Sequence, residues 1–477
     1  MHKFKSYKYI VPLGICLAVA SCTPALAPLA ETKTTPESFG AANSDTTNTS
    51  TTPWRTYFKD PNLVNLIDTA LKNNQELQIT LQEIEIAQND IRVKKGLLLP
   101  SVGIGAGAGI EKVGRYTSQG AGDASTEIMP GKEMPDPLGD LRIAASAHWE
   151  VDIWKKLRNS KKAAVSRYLA TVEGKNFVIT NLISEVADSY YELLALDSQL
   201  DIVRQNIALQ SNALEVVKTQ KEAARATELA VQKFQAEVMA SKSMEFDILQ
   251  NIKETENKIN FLLGQYPQEI KRDKTNFASL LPSIVNSGIP SQLLANRPDV
   301  KQAELELEAA KLDVKSARAE FYPSLDITAA VGFNAFKPAY LFTLPESLLY
   351  SLAGDIAAPL INRNALKAEY SSANARQIQA LYNYERTILN AYLEVSNQLS
   401  KIDNLGKSYD LKSQQVAALD RSIDVAGDLF KSARVDYFEV LMTQRDALES
   451  KLELIDTKKD QLTASVHVYR DLGGGWK

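Results

Sequence analysis

The chain has 477 residues, 44 % hydrophobic and 23 % charged, which is enough apolar material for a large core and rules out a wholly disordered protein. Its net charge of −4 and pI near 5.7 exclude nucleic acid as a partner, because phosphate binding needs a concentrated basic field.

Lys3, Lys5 and Lys8 precede an apolar run from Ile10 to Ala20 and small residues ending at Cys22. This is the layout of a secretory signal peptide, and the run is too short to span a bilayer. Residues 1–21 are therefore predicted to be removed. Leu17-Ala18-Val19-Ala20-Ser21-Cys22 resembles the bacterial lipobox, so Cys22 is the expected lipid attachment site; an ordinary cleavage site with an incidental Cys is the alternative. One acylated residue tethers a chain to lipid without spanning it. Thr23 stands where an Asp would favour inner-membrane retention, which points to the outer membrane. Cys16 leaves with the signal, so no disulfide is expected. Residues 22–53, rich in Thr, Ser, Ala and Pro, read as a flexible lipidated leader.

From Trp54 the first repeat is predicted to run over 54–264: a helix of about thirty residues, a Pro100-Ser101 break, strands at about 101–112 and 141–153, and helices over about 155–264. In the second strand Leu141, Ile143, Ala145, Ala147, Trp149, Val151 and Ile153 alternate with Arg142, Ala144, Ser146, His148, Glu150 and Asp152. One face is thus apolar and the other charged, the pattern of a strand with lipid on one side and water on the other. Val102, Ile104, Ala106, Ala108 and Ile110 alternate with glycines in the first strand. The helical reading rests on apolar positions every three or four residues, as in Leu182, Val186, Leu193, Leu196, Leu200 and Val203, with Gly and Pro almost absent. A helix of fifty residues would be roughly 75 Å long, which calls for a coiled bundle.

After a linker at 265–293 the plan is written again over 294–477, with strands at about 324–336 and 348–361 and helices over about 365–470. Leu71-Lys72-Asn73-Asn74 aligns with Leu294-Ala295-Asn296-Arg297, and Pro100-Ser101 with Pro323-Ser324, 223 positions on. Leu263-Gly264 matches Leu472-Gly473, and Ala224-Arg225 matches Ala433-Arg434, 209 positions on. Leu325, Ile327, Ala329, Val331 and Phe333 form a third apolar stripe; Tyr350, Leu352, Ile356, Ala358 and Leu360 form a fourth. Each predicted strand is long enough to cross a bilayer at a tilt. Four strands cannot close a barrel, and an open edge in lipid leaves backbone groups unpaired, so several chains are expected to share one barrel. Three chains give twelve strands and a usable bore; two give a filled interior.

No catalytic centre is expected. His2 is cleaved, His148 and His467 fall on a strand and a helix, and there is neither a cysteine pair nor a zinc-protease motif. The alternating glycines at 103–109 open no helix, so they are not a phosphate loop. No metal or other cofactor is predicted.

Several segments carry a family likeness when taken in order: the lipobox at Cys22, Trp149-Glu150-Val151-Asp152-Ile153-Trp154, Asn296-Arg297-Pro298-Asp299-Val300, Ala317-Arg318-Ala319-Glu320, Tyr437-Phe438-Glu439-Val440-Leu441, and Leu472-Gly473-Gly474-Gly475-Trp476. Together they resemble the TolC-like outer-membrane factors, in particular the OprM/NodT-like lipoprotein branch that serves RND-type pumps. The likeness covers the chain from Trp54 to Trp476. It implies a mostly α fold with a membrane β-barrel: four barrel strands and long coiled-coil helices per protomer, a homotrimer with a twelve-stranded barrel, and a twelve-helix periplasmic tunnel. It also implies an equatorial belt including residues 271–291 and a periplasmic adaptor that links the channel to an inner-membrane RND-type pump. The function implied is passive export of small molecules through an outer-membrane channel. A type I protein secretion duct and a non-conducting periplasmic coiled-coil lipoprotein are the alternatives.

Two further sets of residues follow from the resemblance. Asp420, Asp424 and Asp428, with Arg421, lie at i, i+4 and i+8 where the family places acids around its closed entrance, so they are candidates for the gate. Ala224-Arg225 and Ala433-Arg434 occupy the hairpin tips expected to touch the adaptor, where the family usually has Gly followed by Leu.

Overall fold

The computed structural model describes residues 36, 38–39, 47–274, 277–280, 286–361, 363–432 and 434–476. The predicted signal peptide and Cys22 lie outside them. Eleven main elements follow in chain order: α1 (Pro61–Asn73), α2 (Gln75–Gly96), β1 (Ser101–Glu111), β2 (Leu138–Glu150), α3 (Lys156–Glu222), α4 (Glu228–Leu262), α5 (Pro298–Ala319), β3 (Ser324–Ala335), β4 (Leu348–Ala357), α6 (Asn364–Lys431) and α7 (Tyr437–Asp471). Among the described residues no helix is long and apolar enough to cross a membrane.

The chain divides into two compact units, one holding residues 85–169 and 305–381, the other 32–84, 170–304 and 382–477. The first unit carries an antiparallel sheet in the order β1-β2-β3-β4. β2 starts three residues before its expected position and ends three before it. Its early start pairs Leu138, Gly139 and Asp140 with Glu111, Ile110 and Gly109. It stops because Asp152 turns to cap α3, accepting from the backbone N–H groups of Leu157 and Arg158, both at 3.0 Å. β4 ends at Ala357 and not near 361, since Pro359 has no N–H to give a ladder. Helical ends in this unit meet at Ala163, Ala309 and Leu312, and Ser316 Oγ donates to the Lys156 carbonyl at 3.0 Å.

The second unit holds the main core. Asp60 caps α1 by accepting from Asn62 N–H at 2.8 Å, and Pro61 takes the first helical position, where no N–H is needed. Leu63, Ile67 and Ala70 then turn one buried face toward Tyr190, Leu193, Ile259 and Tyr469 of the long helices. A second cluster joins Leu293, Val300, Ala391, Val395, Val468 and Leu472. Phe39 belongs to it and stacks on Tyr392 at 5.4 Å. Further along, Ser50 is fully buried, and Asn48 pairs with Ser287 while Thr49 N–H donates to the Asn286 carbonyl. The leader expected to be flexible over 22–53 is therefore anchored where it is described, at Ser38-Phe39 and at 47–53, because an aromatic ring and short polar side chains find partners there.

The duplication survives as a repeated joint. α4 and α7 both end in a left-handed glycine, Gly264 at φ 65° and Gly473 at φ 87°. In each case the next N–H reaches back five residues, Gln265 to Asn260 and Gly474 to Tyr469. A Cβ on either glycine would lie 2.5 Å from the same partner in its own copy, the Asn73 or the Asn296 carbonyl oxygen. Asn74 Nδ2 donates to the Leu262 carbonyl at 3.0 Å, and at the equivalent place Arg297 Nη1 donates to the Asp471 carbonyl at 3.0 Å.

Candidate functional site

The register sorts the sheet's side chains by face. Val102, Ala147, Ala329 and Leu352 share one row; Ile104, Ala145, Val331 and Tyr350 the next; Ala106, Ile143, Phe333 and Leu348 the third. All three rows are apolar across every strand. On the opposite face Glu150, Asp326 and Asp355 stand side by side, with His148 and Thr328 in the row above. Lys156 Nζ lies 2.5 Å from Glu150, and His148 Nε2 lies 3.7 Å from Asp326. Asn334 Nδ2 donates to Asp140 at 2.6 Å.

Neither face of the outer strands is covered. Every residue of β1 is exposed, with Ile104 at 84 %, and on β4 Tyr350 and Leu352 are at 80 % and 79 %. A soluble antiparallel sheet buries its apolar face against a second layer. Here the apolar face of β1 and β4 is open, and these two strands each keep one edge unpaired among the described residues.

In the second unit the two helical hairpins turn at 223–227 and 432–436. At the first turn Ala224 sits at φ 57°, its N–H donates to Lys221, and Arg225 N–H donates to the Gln220 carbonyl at 2.7 Å. This is the helix stop that glycine normally makes, here carrying a Cβ. At the second turn Arg434 N–H reaches the Leu429 carbonyl at 2.9 Å by the same five-residue step; Ala433 lies outside the described residues. Thr227 caps α4 by accepting from Ala230 N–H at 3.2 Å, whereas its counterpart Asp436 makes no side-chain cap bond.

The turns share an apolar mount. Leu214, Val217, Ala230, Val231, Phe234 and Leu441 are buried together, and Phe430 and Tyr437 pack against them. Where the second tip uses this aromatic pair, the first pairs Lys221 with Glu228. Lys221, and after it Gln232, hold the Glu228 carboxyl below its ordinary value.

The proposed gate residues all lie on α6, in the last turns before the second tip. Asp420 is bound by Lys451 of α7 at 2.6 Å, and Asp428 lies 3.2 Å from Lys431 in its own helix. Arg421 and Asp424 are exposed and make no ion pair among the described residues. Arg421 borders a groove between α6 and α7 with Val425, Leu429, Val435 and Glu439. His467, on α7, meets Asp188 at 2.7 Å.

Two buried arginines have structural roles that the sequence reading left unassigned. Arg272, inside the expected equatorial belt, has a side chain 2 % exposed and bridges Asp197 of α3 at 2.5 Å to Glu256 of α4 at 2.7 Å. Burial opposes its charge, yet the hydrogen bonds it donates to the Asp197 and Glu256 carboxylates hold the guanidinium above its ordinary value. The available signal was Asp197 itself, an acid lodged in the apolar stripe Leu193-Leu196-Leu200. Arg297 binds both Asp299 carboxylate oxygens, at 2.9 and 2.7 Å, and Glu394 at 2.7 Å. Burial again opposes its charge, and Asp299, then Glu394, outweigh that.

The model of the outer membrane efflux protein family matches residues 66–265 and 289–474. The pyoverdine export outer membrane protein OpmQ of Pseudomonas aeruginosa is 29 % identical over 476 residues, covering 99 % of this chain and 98 % of that one. The solvent efflux pump outer membrane protein SrpC of Pseudomonas putida is 26 % identical over 487 residues, covering 99 % of each. The crystal structure of CusC superposes with a TM-score of 0.82 at 24 % identity, covering 95 % of this chain and 100 % of that one.

Proposed function

We propose, from the premise that the chain belongs to the outer membrane efflux protein family, how its two units divide the work of export. The protein is the outer-membrane component of a tripartite efflux system, located in the outer membrane and extending into the periplasm. Three copies join their sheets edge to edge, β1 of one against β4 of the next, into a closed barrel of twelve strands. The apolar rows face lipid, and the row of Glu150, Asp326 and Asp355 faces a wet bore.

The four long helices of each copy form the periplasmic tunnel wall, and the 265–293 linker contributes to an equatorial belt. Residues 1–21 are removed on export, and Cys22 carries the lipid. Both hairpin tips, through Ala224, Arg225, Ala433 and Arg434, touch a periplasmic adaptor that couples the channel to an inner-membrane RND-type pump. Asp420, Arg421, Asp424 and Asp428 form the entrance gate, where threefold symmetry brings like charges together. The cargo is small molecules moved passively. Relatives of similar identity are named for pyoverdine, solvent and cation export, so the wall of the tunnel does not dictate the cargo.

The observation that carries this reading is the sheet with one apolar and one charged face, exposed on both sides of its outer strands and open at both edges among the described residues. Native mass spectrometry of the detergent-purified protein should give a trimer, and planar-bilayer recording should give a low conductance that Asp424→Ala raises. A monomer, or a trimer that conducts neither before nor after the substitution, would sink the channel reading.

A further inference from the structure

The two tips have kept the same pair of residues while much around them diverged. Leu262 became Asp471, Thr227 became Asp436, and the Lys221–Glu228 pair became Phe430 and Tyr437, yet Ala-Arg stands at both turns. The backbone N–H of each arginine is spent closing its helix, on Gln220 and on Leu429. That bond holds each arginine's Cα in the turn that ends the hairpin, with its side chain exposed. Both arginines are exposed, and neither makes an ion pair among the described residues. The nearest cations are already matched: Lys221 takes Glu228, and Lys431 takes Asp428. The shared core of Val217, Phe234 and Leu441 seats both turns on one packed mount.

We propose that Arg225 and Arg434 are a duplicated carboxylate-recognition pair, and that the adaptor serving this channel carries acidic side chains at the tip of its own helical hairpin. This rests on the reading that the tips dock an adaptor. Arginine suits the task, because its planar fork can hold a carboxylate through two parallel hydrogen bonds, and its weak hydration makes desolvation on docking less costly than for lysine. The same charge works against wrong partners: an adaptor tip bearing arginine or lysine would face a ring of like charge. The tips thus select among adaptors by sign, with the apolar mount supplying position.

The test uses the full-length channel in detergent and the periplasmic adaptor encoded with it, with binding followed by surface plasmon resonance at low and high salt. For the unmodified pair, affinity should fall on the order of tenfold as ionic strength rises from about 0.05 to 0.5 M, since exposed charge pairs are screened over that range. Arg225→Gln with Arg434→Gln should abolish most of that salt dependence. Arg225→Glu with Arg434→Glu should weaken binding further, and lysine in place of the adaptor's tip acids should restore it. These positions are exposed, so circular dichroism should confirm unchanged folding. Equal, salt-independent binding by the Gln and Glu variants would overturn the proposal while leaving docking at the tips intact. If the unmodified channel fails to bind the adaptor at all, the docking reading falls and the proposal with it.

Discussion

In the first copy of the repeat the joint between the short helix and the end of its hairpin is closed by a neutral side chain, Asn74, which donates to the Leu262 carbonyl. In the second copy the same position is Arg297, which donates to the Asp471 carbonyl and also gathers Asp299 and Glu394. Backbone geometry at the two joints is the same, down to the left-handed glycine and the asparagine carbonyl 2.5 Å from where its Cβ would lie. What drifted is the electrostatics. A neutral amide needs only backbone partners, here the Leu262 carbonyl and the Leu77 N–H, whereas a buried cation obliges several elements to supply carboxylates. In the second copy the hairpin is thereby tied to α5 through charge, while in the first it is tied to the segment at 265–274 through Arg272. The two hairpins are alike in shape and differ in what fastens them.

Arg297→Ala should break this comparison most severely. It leaves the Asp299 carboxylate and the Asp471 carbonyl without their shared donor, and loss of one partner from a buried charge cluster costs about 3 to 5 kcal/mol. Asn74→Ala removes two neutral hydrogen bonds, the one donated to the Leu262 carbonyl and the one accepted from the Leu77 N–H at the start of α2, together worth about 1 to 3 kcal/mol. Thermal unfolding of the two purified variants by circular dichroism should rank them in that order. Equal losses would mean that the charged joint carries no more weight than the neutral one.

Gly473→Ala and Gly264→Ala should come next and should match each other. Each puts a Cβ 2.5 Å from a carbonyl oxygen on a backbone at positive φ, so strain and overlap together amount to about 2 to 3 kcal/mol. A large difference between them would show that one joint yields where the other does not.

How much of this could be read from the sequence follows the type of signal. The strands were legible because period-two alternation depends only on which side is apolar, and the register brings the four stripes onto one face as far as the strands run, without Val151, Ile153, Ala358 and Leu360 beyond their ends. Their ends were less so, since Asp152 and Pro359 act through caps and missing donors and not through hydropathy. The long helices were legible from spacing, and the self-match at 223 and 209 residues located both joints. Arg272 was not, because its partners Asp197 and Glu256 lie 75 and 16 residues away, and an acid in the apolar stripe around Asp197 signals a buried cation without saying which one. The anchored leader escaped for a similar reason: Phe39 is one aromatic in a polar tract, and its stacking partner Tyr392 is more than 350 residues distant. Of the residues proposed for the gate, the shared helix face was legible, but the pairing of Asp420 with Lys451 depends on how α6 meets α7.

Asp471 offers a sharper probe of the second joint, through pH. Burial lifts its carboxyl above the ordinary range, against the pull of Arg470, and one of its oxygens has no hydrogen-bond partner among the described residues. Because the folded-state value is raised, its stabilising contribution is complete below the unfolded value of 3.8 and is lost as pH climbs through the raised value. Asp471→Asn keeps an acceptor for Arg470 and removes the buried charge. It should therefore gain on the parent protein as pH rises from about 4 to 7, with the curves converging at the acid end. Curves that stay parallel across that range would show that the carboxyl does not titrate differently on folding.

The smallest effect belongs to Ala224, where the first tip makes with alanine the stop that the two joints make with glycine. A left-handed alanine costs about 1 to 2 kcal/mol, and glycine returns about 0.5 to 1 of that as extra unfolded-state entropy, so Ala224→Gly should gain about 0.5 to 1 kcal/mol. A hairpin tip frays long before the whole molecule melts, and a global transition would hide such a gain. Hydrogen exchange resolves it: amides at the end of α3 and the start of α4 should exchange a few-fold more slowly in the glycine variant, with those around Gly264 unchanged. Since Arg225 keeps both its bond to Gln220 and its exposed guanidinium, adaptor affinity and its salt dependence should be unaltered. Faster exchange at the tip would mean that the Ala224 Cβ makes a stabilising contact worth more than its strain, and the parallel between tip and joint would end there.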